Sequence, residues 1–416
     1  MKPYPMRRMP SWALVFLLIT LVLPAQARKP KKALPPPSTT SAKLADDPIT
    51  RAGFEHFYNM EYDAAIRDFE KAEAAHPNDP FALNHLLTGI MFKELYRIGA
   101  LDSELYAKDD FLTSKQFPID PKARAEIKDL MDRAQAASEA RLQANPNDVD
   151  ALYARGVTRA MRSTYTGLID KAWFSALRSA IAARHDHEHV LELDPNYTDA
   201  KFVVGLHQYV VGSLSWAAKV GAAMVGISGN KQKGIQYLYD AAEHGSETSV
   251  DARITLSLFL RREQRYPEAI KLVSGLSEKY PKSFLLALEY ANLLNAAGKG
   301  PDAIAAYRKL LFSGEKSGVF FEPRMEQVEW GLGEALRGQK EYPEAVQAYE
   351  SVEDYANADP ELRERATLAA GEVYDLMSKR DLAVKRYQQV IQADANSWRA
   401  DLARKYLKQP YHGQKS

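Results

Sequence analysis

From Glu61 onward the apolar residues of this chain recur three and four positions apart, the spacing that gathers them on one face of a helix. In three places they recur in almost the same order: EYDAAIRDFEKAEAAHP from Glu61, RYPEAIKLVSGLSEKYP from Arg265 and EYPEAVQAYESVEDYA from Glu341. Each stretch has an aromatic residue, an acidic one, a small one and then spaced apolar positions, and two of the three close on a proline. Such a unit predicts the second helix of a helical hairpin, whose apolar stripe is buried only when similar hairpins stack beside it. No stretch of useful length alternates apolar and polar residues, so the pattern predicts an all-α chain.

The positions have a fixed register. In the first unit Gly53 lets two helices approach, Tyr62 opens the second helix, Ala65 is the small contact, Phe69 and Ala72 pack, and Pro77 ends it. Tyr266, Ala269, Val273 and Pro281 take these roles next. Thirty-four residues beyond Tyr266 stands Gly300, followed in phase by Ala303, Tyr307 and Leu310. An insertion from Ser313 delays the next copy, where Gly333, Tyr342, Ala345 and Tyr349 resume the pattern. Gly371, Tyr374, Ala383, Tyr387 and Val390 form a last copy, and Trp398 to Leu407 reads as an amphipathic cap. In these residues the chain resembles the tetratricopeptide repeat proteins. That resemblance implies a superhelical solenoid of antiparallel helix pairs, seven to eight units with a C-terminal capping helix.

The middle is less regular. The turns at Asn145-Pro146 and Asp194-Pro195 lie 49 residues apart, which predicts long helices or insertions, as from Gly99 to Pro121 and from Thr164 to Trp173. Around residues 199 to 245 the chain also resembles the central segment of eukaryotic tetratricopeptide proteins of the inclusion-clearance group. Gly226, Gly229, Asn230, Lys231 and Gly234 match a glycine-rich turn there, and the match implies architecture only.

The N-terminus changes the picture of where the protein works. Lys2, Arg7 and Arg8 precede an apolar run from Trp12 to Leu23 and the small-residue signature Ala25-Gln26-Ala27, which predicts a signal peptide cleaved after Ala27. The run is too short for an uncleaved span. The pattern then divides the chain into a signal peptide (1–27), a flexible Pro/Lys/Ser-rich linker (28–47) and an N-terminal unit with a following helix (48–97). Irregular hairpins (98–245), a regular array (246–395) and a capping helix with tail (396–416) complete it. The expected location is periplasmic or secreted. With no cysteine in the chain, neither a lipid on cysteine nor a disulfide is available, so packing alone must stabilise the fold. Of 55 basic residues, three leave with the signal peptide, and against 54 acidic ones the formal charge becomes −2, which gives no footing for nucleic acid.

Candidate chemistry is sparse. On a helix His185 and His189 share a face, with Glu188 and Glu192 near, but the glutamates stand wrongly for a zinc hydrolase, so this is a weak metal candidate and no cofactor is expected. The glycines from Gly221 to Gly234 lack the lysine and hydroxyl of a phosphate loop and predict a helix start near Lys231. No nucleophile stands beside a base in a recognisable run, and Asp46-Asp47 and Asp109-Asp110 read as helix caps. The chain therefore reads as non-enzymatic.

The repeat register also nominates a binding face on the first helix of each pair. In the N-terminal half it gives Phe54, Phe57, Phe202 and Tyr209, an apolar groove. In the C-terminal half it gives Arg261, Arg262, Asn292, Asn295, Trp330 and Arg337, with Glu334, Arg365, Glu372 and Asp375, side chains suited to a peptide backbone or carboxylate. The expected partner is a protein or peptide of the cell envelope. The alternative is an apolar-ligand or membrane-surface module built on the apolar stretch 202–227, in peripheral contact and without a membrane span.

Overall fold

The structure, a computed structural model, describes residues 42–102, 118–214, 219, 228–314, 316, 318–356 and 358–413. Among these are seventeen α-helices and no strand. The chain forms two compact units, one of residues Met1–Phe57 and Tyr62–Phe259 and one of Tyr58–Glu61 and Leu260–Ser416. The signal peptide and most of the linker lie outside the described residues, as do Asp109 and Asp110.

In the first unit α1 (Pro48–Tyr58) and α2 (Tyr62–Ala75) meet where Phe54 packs edge-on to Phe69 at 5.0 Å. The contact needs Gly53, because a Cβ there would stand 2.5 Å from the Phe69 ring. α3 (Pro80–Arg97) is apolar almost all round because α2, α4 (Pro121–Ala144) and α5 (Val149–Leu168) cover it from several sides. α5 and α6 (Trp173–Leu193), 20 and 21 residues long, pack along each other more extensively than any other two described helices. The wide spacing of the central turns thus comes from long helices on that side, with Thr164 still inside α5. α7 (Ala200–Gly212) and α8 (Lys231–His244) pack backbone to backbone: a Cβ on Gly234 would stand 2.5 Å from the Tyr209 amide nitrogen. Asn230 caps α8, accepting from the Lys233 N–H at 3.0 Å, so the helix begins where the glycine pattern predicts it.

The linker expectation fails at its last residues. Ala42 is fully buried, the Lys43 ammonium pairs with Asp150 at 2.6 Å, and the Leu44 N–H donates to Glu247 at 2.6 Å. The second Glu247 oxygen meets His85 at 3.1 Å, and Asp47 caps α1 through the Thr50 N–H at 2.9 Å. Residues 42–47 are therefore a strap packed into the first unit. Its anchors lie far along the chain, where no local pattern reveals them.

α9 (Ser249–Arg262) spans the point in the chain where one unit gives way to the other. The second unit continues with the helices α10 (Tyr266–Lys279), α11 (Phe284–Ala296), α12 (Gly300–Gly314), α13 (Met325–Gly338), α14 (Tyr342–Ser351), α15 (Pro360–Leu376) and α16 (Arg380–Ala393), and ends with α17 (Trp398–Lys408). From α10 onward each helix packs on the next in sequence, and the first helices α11, α13, α15 and α17 also touch in series. One small residue per second helix, Ala269, Ala303, Ala345 and Ala383, is fully buried. These are stacked antiparallel helical hairpins of an all-α repeat solenoid.

One turn recurs between first and second helices. Gln264, Gly298, Lys340 and Ser378 all adopt positive φ, from 58° to 73°. The following N–H reaches back five residues in each case, Arg265 to Leu260, Lys299 to Leu294, Glu341 to Leu336 and Lys379 to Tyr374, at 2.8 to 2.9 Å. This is the Schellman closure, which satisfies carbonyls a helix end leaves open.

Candidate functional site

The apolar residues nominated in the first unit are mostly interior. Phe54, Phe57 and Tyr209 are buried, Phe54 against His85 at 4.9 Å, Phe57 against Phe92 at 5.6 Å and Tyr209 stacked on Phe259 at 3.7 Å. Phe202 is half-buried against the alanine contact of α8 with α9. The register positions are right for packing, and aromatic rings close the space that an open groove would need. Of the stretch 202–227, residues beyond Leu214 lie mostly outside the described ones; Val210 and Leu214 are exposed.

The histidine run divides by helix face. His185 is exposed and His189 half-buried, while His187 is wholly buried beneath Gly156 and its Nδ1 lies 2.8 Å from the Ala183 carbonyl. Asp186 is held by Arg155 at 2.6 Å and Arg159 at 2.7 Å. Among the described residues no three His, Asp or Glu side chains are grouped to hold a metal. Burial lowers the His187 pKa, opposed by its backbone contact and by Asp186.

The nominated face of the second unit is polar and largely committed to internal pairs. Arg261 on α9 meets Glu289 on α11 at 3.1 Å, both nearly buried. Arg262 is exposed and Asn295 half-buried. Asn292 accepts from the Tyr307 hydroxyl at 2.7 Å. That contact has two counterparts: Tyr349 donates to Glu334, and Tyr387 donates to Asp375 at 2.8 Å. In three successive pairs a buried tyrosine of the second helix therefore sends its hydroxyl through to a polar residue of the first. Trp330 carries the Arg365 guanidinium 4.4 Å from its ring centroid and leans on Tyr349.

Arg337 stands apart from its neighbours on this face. Its Nη2 donates to Glu372 at 2.8 Å and to the hydroxyl of Tyr411 at 2.9 Å. Burial, the largest single influence, works against its charge, but Glu372 together with Tyr349 and Tyr411 outweighs it and raises its pKa. Tyr411 belongs to a segment past the end of α17, where Pro410 stops the helix and Gln409 is extended, as a residue before proline prefers. The Tyr411 N–H donates to Asp375 at 2.8 Å, and its ring meets Tyr406 edge-on at 5.3 Å. Asp375 is fixed by Arg380 at 2.9 and 3.0 Å, and the same guanidinium caps α17 through the Tyr406 and Leu407 carbonyls at 2.8 Å. Sequence register identified Arg337, Glu372 and Asp375 but missed Arg380 and Tyr411. Pro410 is the sole local signal that the chain leaves the helix, and it does not say where the chain goes.

No protein-family model matches this chain, and no curated protein sequence does. Among solved structures it is similar to the Pseudomonas aeruginosa protein pilF at 15% identity, covering 63% of this chain and 99% of that one with a TM-score of 0.38. Yeast Tom70 is similar at 12% identity over 86% of this chain and 94% of the other, with a TM-score of 0.38. A thermophilic TPR protein of Thermus thermophilus is similar at 17% identity, over 59% and 97%, with a TM-score of 0.33.

Proposed function

We propose that this protein is an exported, non-enzymatic scaffold that holds an extended segment of a partner protein on the first-helix face of its second unit. One observation carries the reading: a non-helical stretch of chain, entered through the extended Gln409, already lies there, its Tyr411 main-chain N–H taken by Asp375 and its side chain by Arg337. A face that receives one extended segment through a backbone N–H and a side-chain hydroxyl has the chemistry to receive another. Asn295, Trp330 and Arg365 continue the face along α11, α13 and α15. Export follows from the signal-peptide pattern, and a cell-envelope partner follows from export.

A photo-crosslinking residue placed at Asn295 or Trp330 tests this in cells. Crosslinks to one protein from both positions, and none from the exposed Lys385 on α16, are the expected result. Equal labelling from all three positions would sink the proposal.

A second reading, contact with a membrane surface, is favoured by Trp173, Phe174 and Leu177, exposed in the first turns of α6 beside Lys171. Among the described residues no helix is long and apolar enough to cross a membrane, so such contact would be peripheral. Co-sedimentation with anionic vesicles that Phe174→Asp abolishes would favour it over the scaffold.

A further inference from the structure

We infer that the Arg337–Glu372–Asp375 site is a receptor for an extended segment bearing tyrosine, and that the chain's own Gln409–Gly413 occupies it as a displaceable ligand. The inference rests on the scaffold reading above and names its ligand class and its regulation.

The receptor is built without the segment it holds. Asp375, only 1% exposed at its side chain, is oriented by Arg380, whose Nη1 donates to both carboxylate oxygens, and by the Tyr387 hydroxyl on Oδ2, the oxygen that also accepts from the Tyr411 N–H. Arg337 is oriented by Glu372, leaving a donor direction that the Tyr411 hydroxyl fills. The guanidinium carbon lies 5.3 Å from the Tyr411 ring centroid, and the Tyr406 edge closes the other side. Removing Tyr411 therefore takes one residue from a preformed site, the arrangement that favours binding of a separate segment.

Tyr411 itself is half-buried, and His412 and Gly413 beyond it are exposed. The recognition elements are a free main-chain N–H and a phenol on the same residue, following a proline that keeps the approach extended. Both recognition groups are present in any tyrosine of an extended partner segment. Because the tail is tethered, its effective concentration is on the order of millimolar, so a partner segment competes against it at a disadvantage until the tail is released.

The test is fluorescence anisotropy of a labelled peptide of residues Leu407 to Gly413, capped at both ends, titrated with the full chain. The peptide is expected to bind Tyr411→Ala at least about 10-fold more tightly than the unmodified chain, given the tethered competitor. Adding Arg337→Met to that variant is expected to abolish binding, and a peptide with phenylalanine at the tyrosine position is expected to bind more weakly. Tyr411→Phe, which keeps ring and N–H, supplies a milder opening should Tyr411→Ala not fold, with a gain of about threefold for one lost hydrogen bond. Equal binding to opened and unmodified chains, or no binding to an opened chain that melts as the unmodified one does, overturns the inference. Dimers of the unmodified chain that vanish in Tyr411→Ala would assign the segment to a second copy and also overturn it. Failure here with position-specific crosslinks intact leaves the scaffold standing; peptide binding without such crosslinks removes the scaffold and keeps the site.

Discussion

At the scale of single residues, the second unit places charges where water is scarce. Glu329 on α13 is partly buried with Asp354 near, and desolvation first, then that like charge, pushes its pKa up to about 7. The folded state thus holds a proton that the unfolded state releases near pH 4.5. Its contribution to stability is full below that value, falls as pH rises toward 7 and stays low above it. Glu329→Gln should consequently raise stability at about pH 8 by about 1 kcal/mol, discounted for solvent screening, and leave it unchanged at about pH 4.5, as chemical denaturation at both pH values would read. His187 works in the opposite sense: its lowered pKa means stability present above about 6.5 and lost as pH falls, because the unfolded state takes the proton first. These effects were not legible in the sequence. The repeat register nominates Asn292, Trp330 and Arg337 for one face, but it carries no information on which polar side chains are consumed by buried tyrosines or by arginine–glutamate pairs.

At the scale of elements, the sequence was most informative where apolar spacing and small residues agreed. Ala269, Ala303, Ala345 and Ala383 occupy equivalent buried positions, and Gly333 and Gly371 admit Tyr349 and Tyr387 as Gly53 admits Phe69. The turns between helices were less legible, because only Gly298 among the four positive-φ residues announces its conformation. Gln264, Lys340 and Ser378 adopt it against their own preference, held by the same five-residue closure. Lys340→Gly should therefore stabilise the second unit by about 0.5–1 kcal/mol, since the left-handed conformation costs a side-chain-bearing residue about 1 kcal/mol or more. Gly298→Ala, where an added Cβ meets nothing within 4 Å, should cost about 1 kcal/mol from φ alone. Thermal unfolding of the two variants side by side checks the pair; shifts of the same sign would contradict the assignment of strain to this turn.

At the scale of the whole molecule, the first unit departs from an array in which each pair touches only the next. Glu247 joins Leu44 and His85 to the start of α9, and Asp199 accepts from the N–H groups of Ser246, Glu247 and Thr248. Glu247→Ala leaves the Leu44 N–H and His85 without this acceptor and should cost about 2–3 kcal/mol, seen as faster amide exchange across residues 42–57. Unaltered exchange there would mean that the strap is held by Lys43 and Ala42 alone. The strap has a further bearing on how the protein is made. Residues 42–47 leave the ribosome long before Glu247, and at typical elongation rates the 203 intervening residues take roughly 10–40 s to appear. Through that interval the Leu44 N–H lacks the acceptor that holds it in the finished fold, so the first described segment in sequence is among the last to gain its full set of contacts in time.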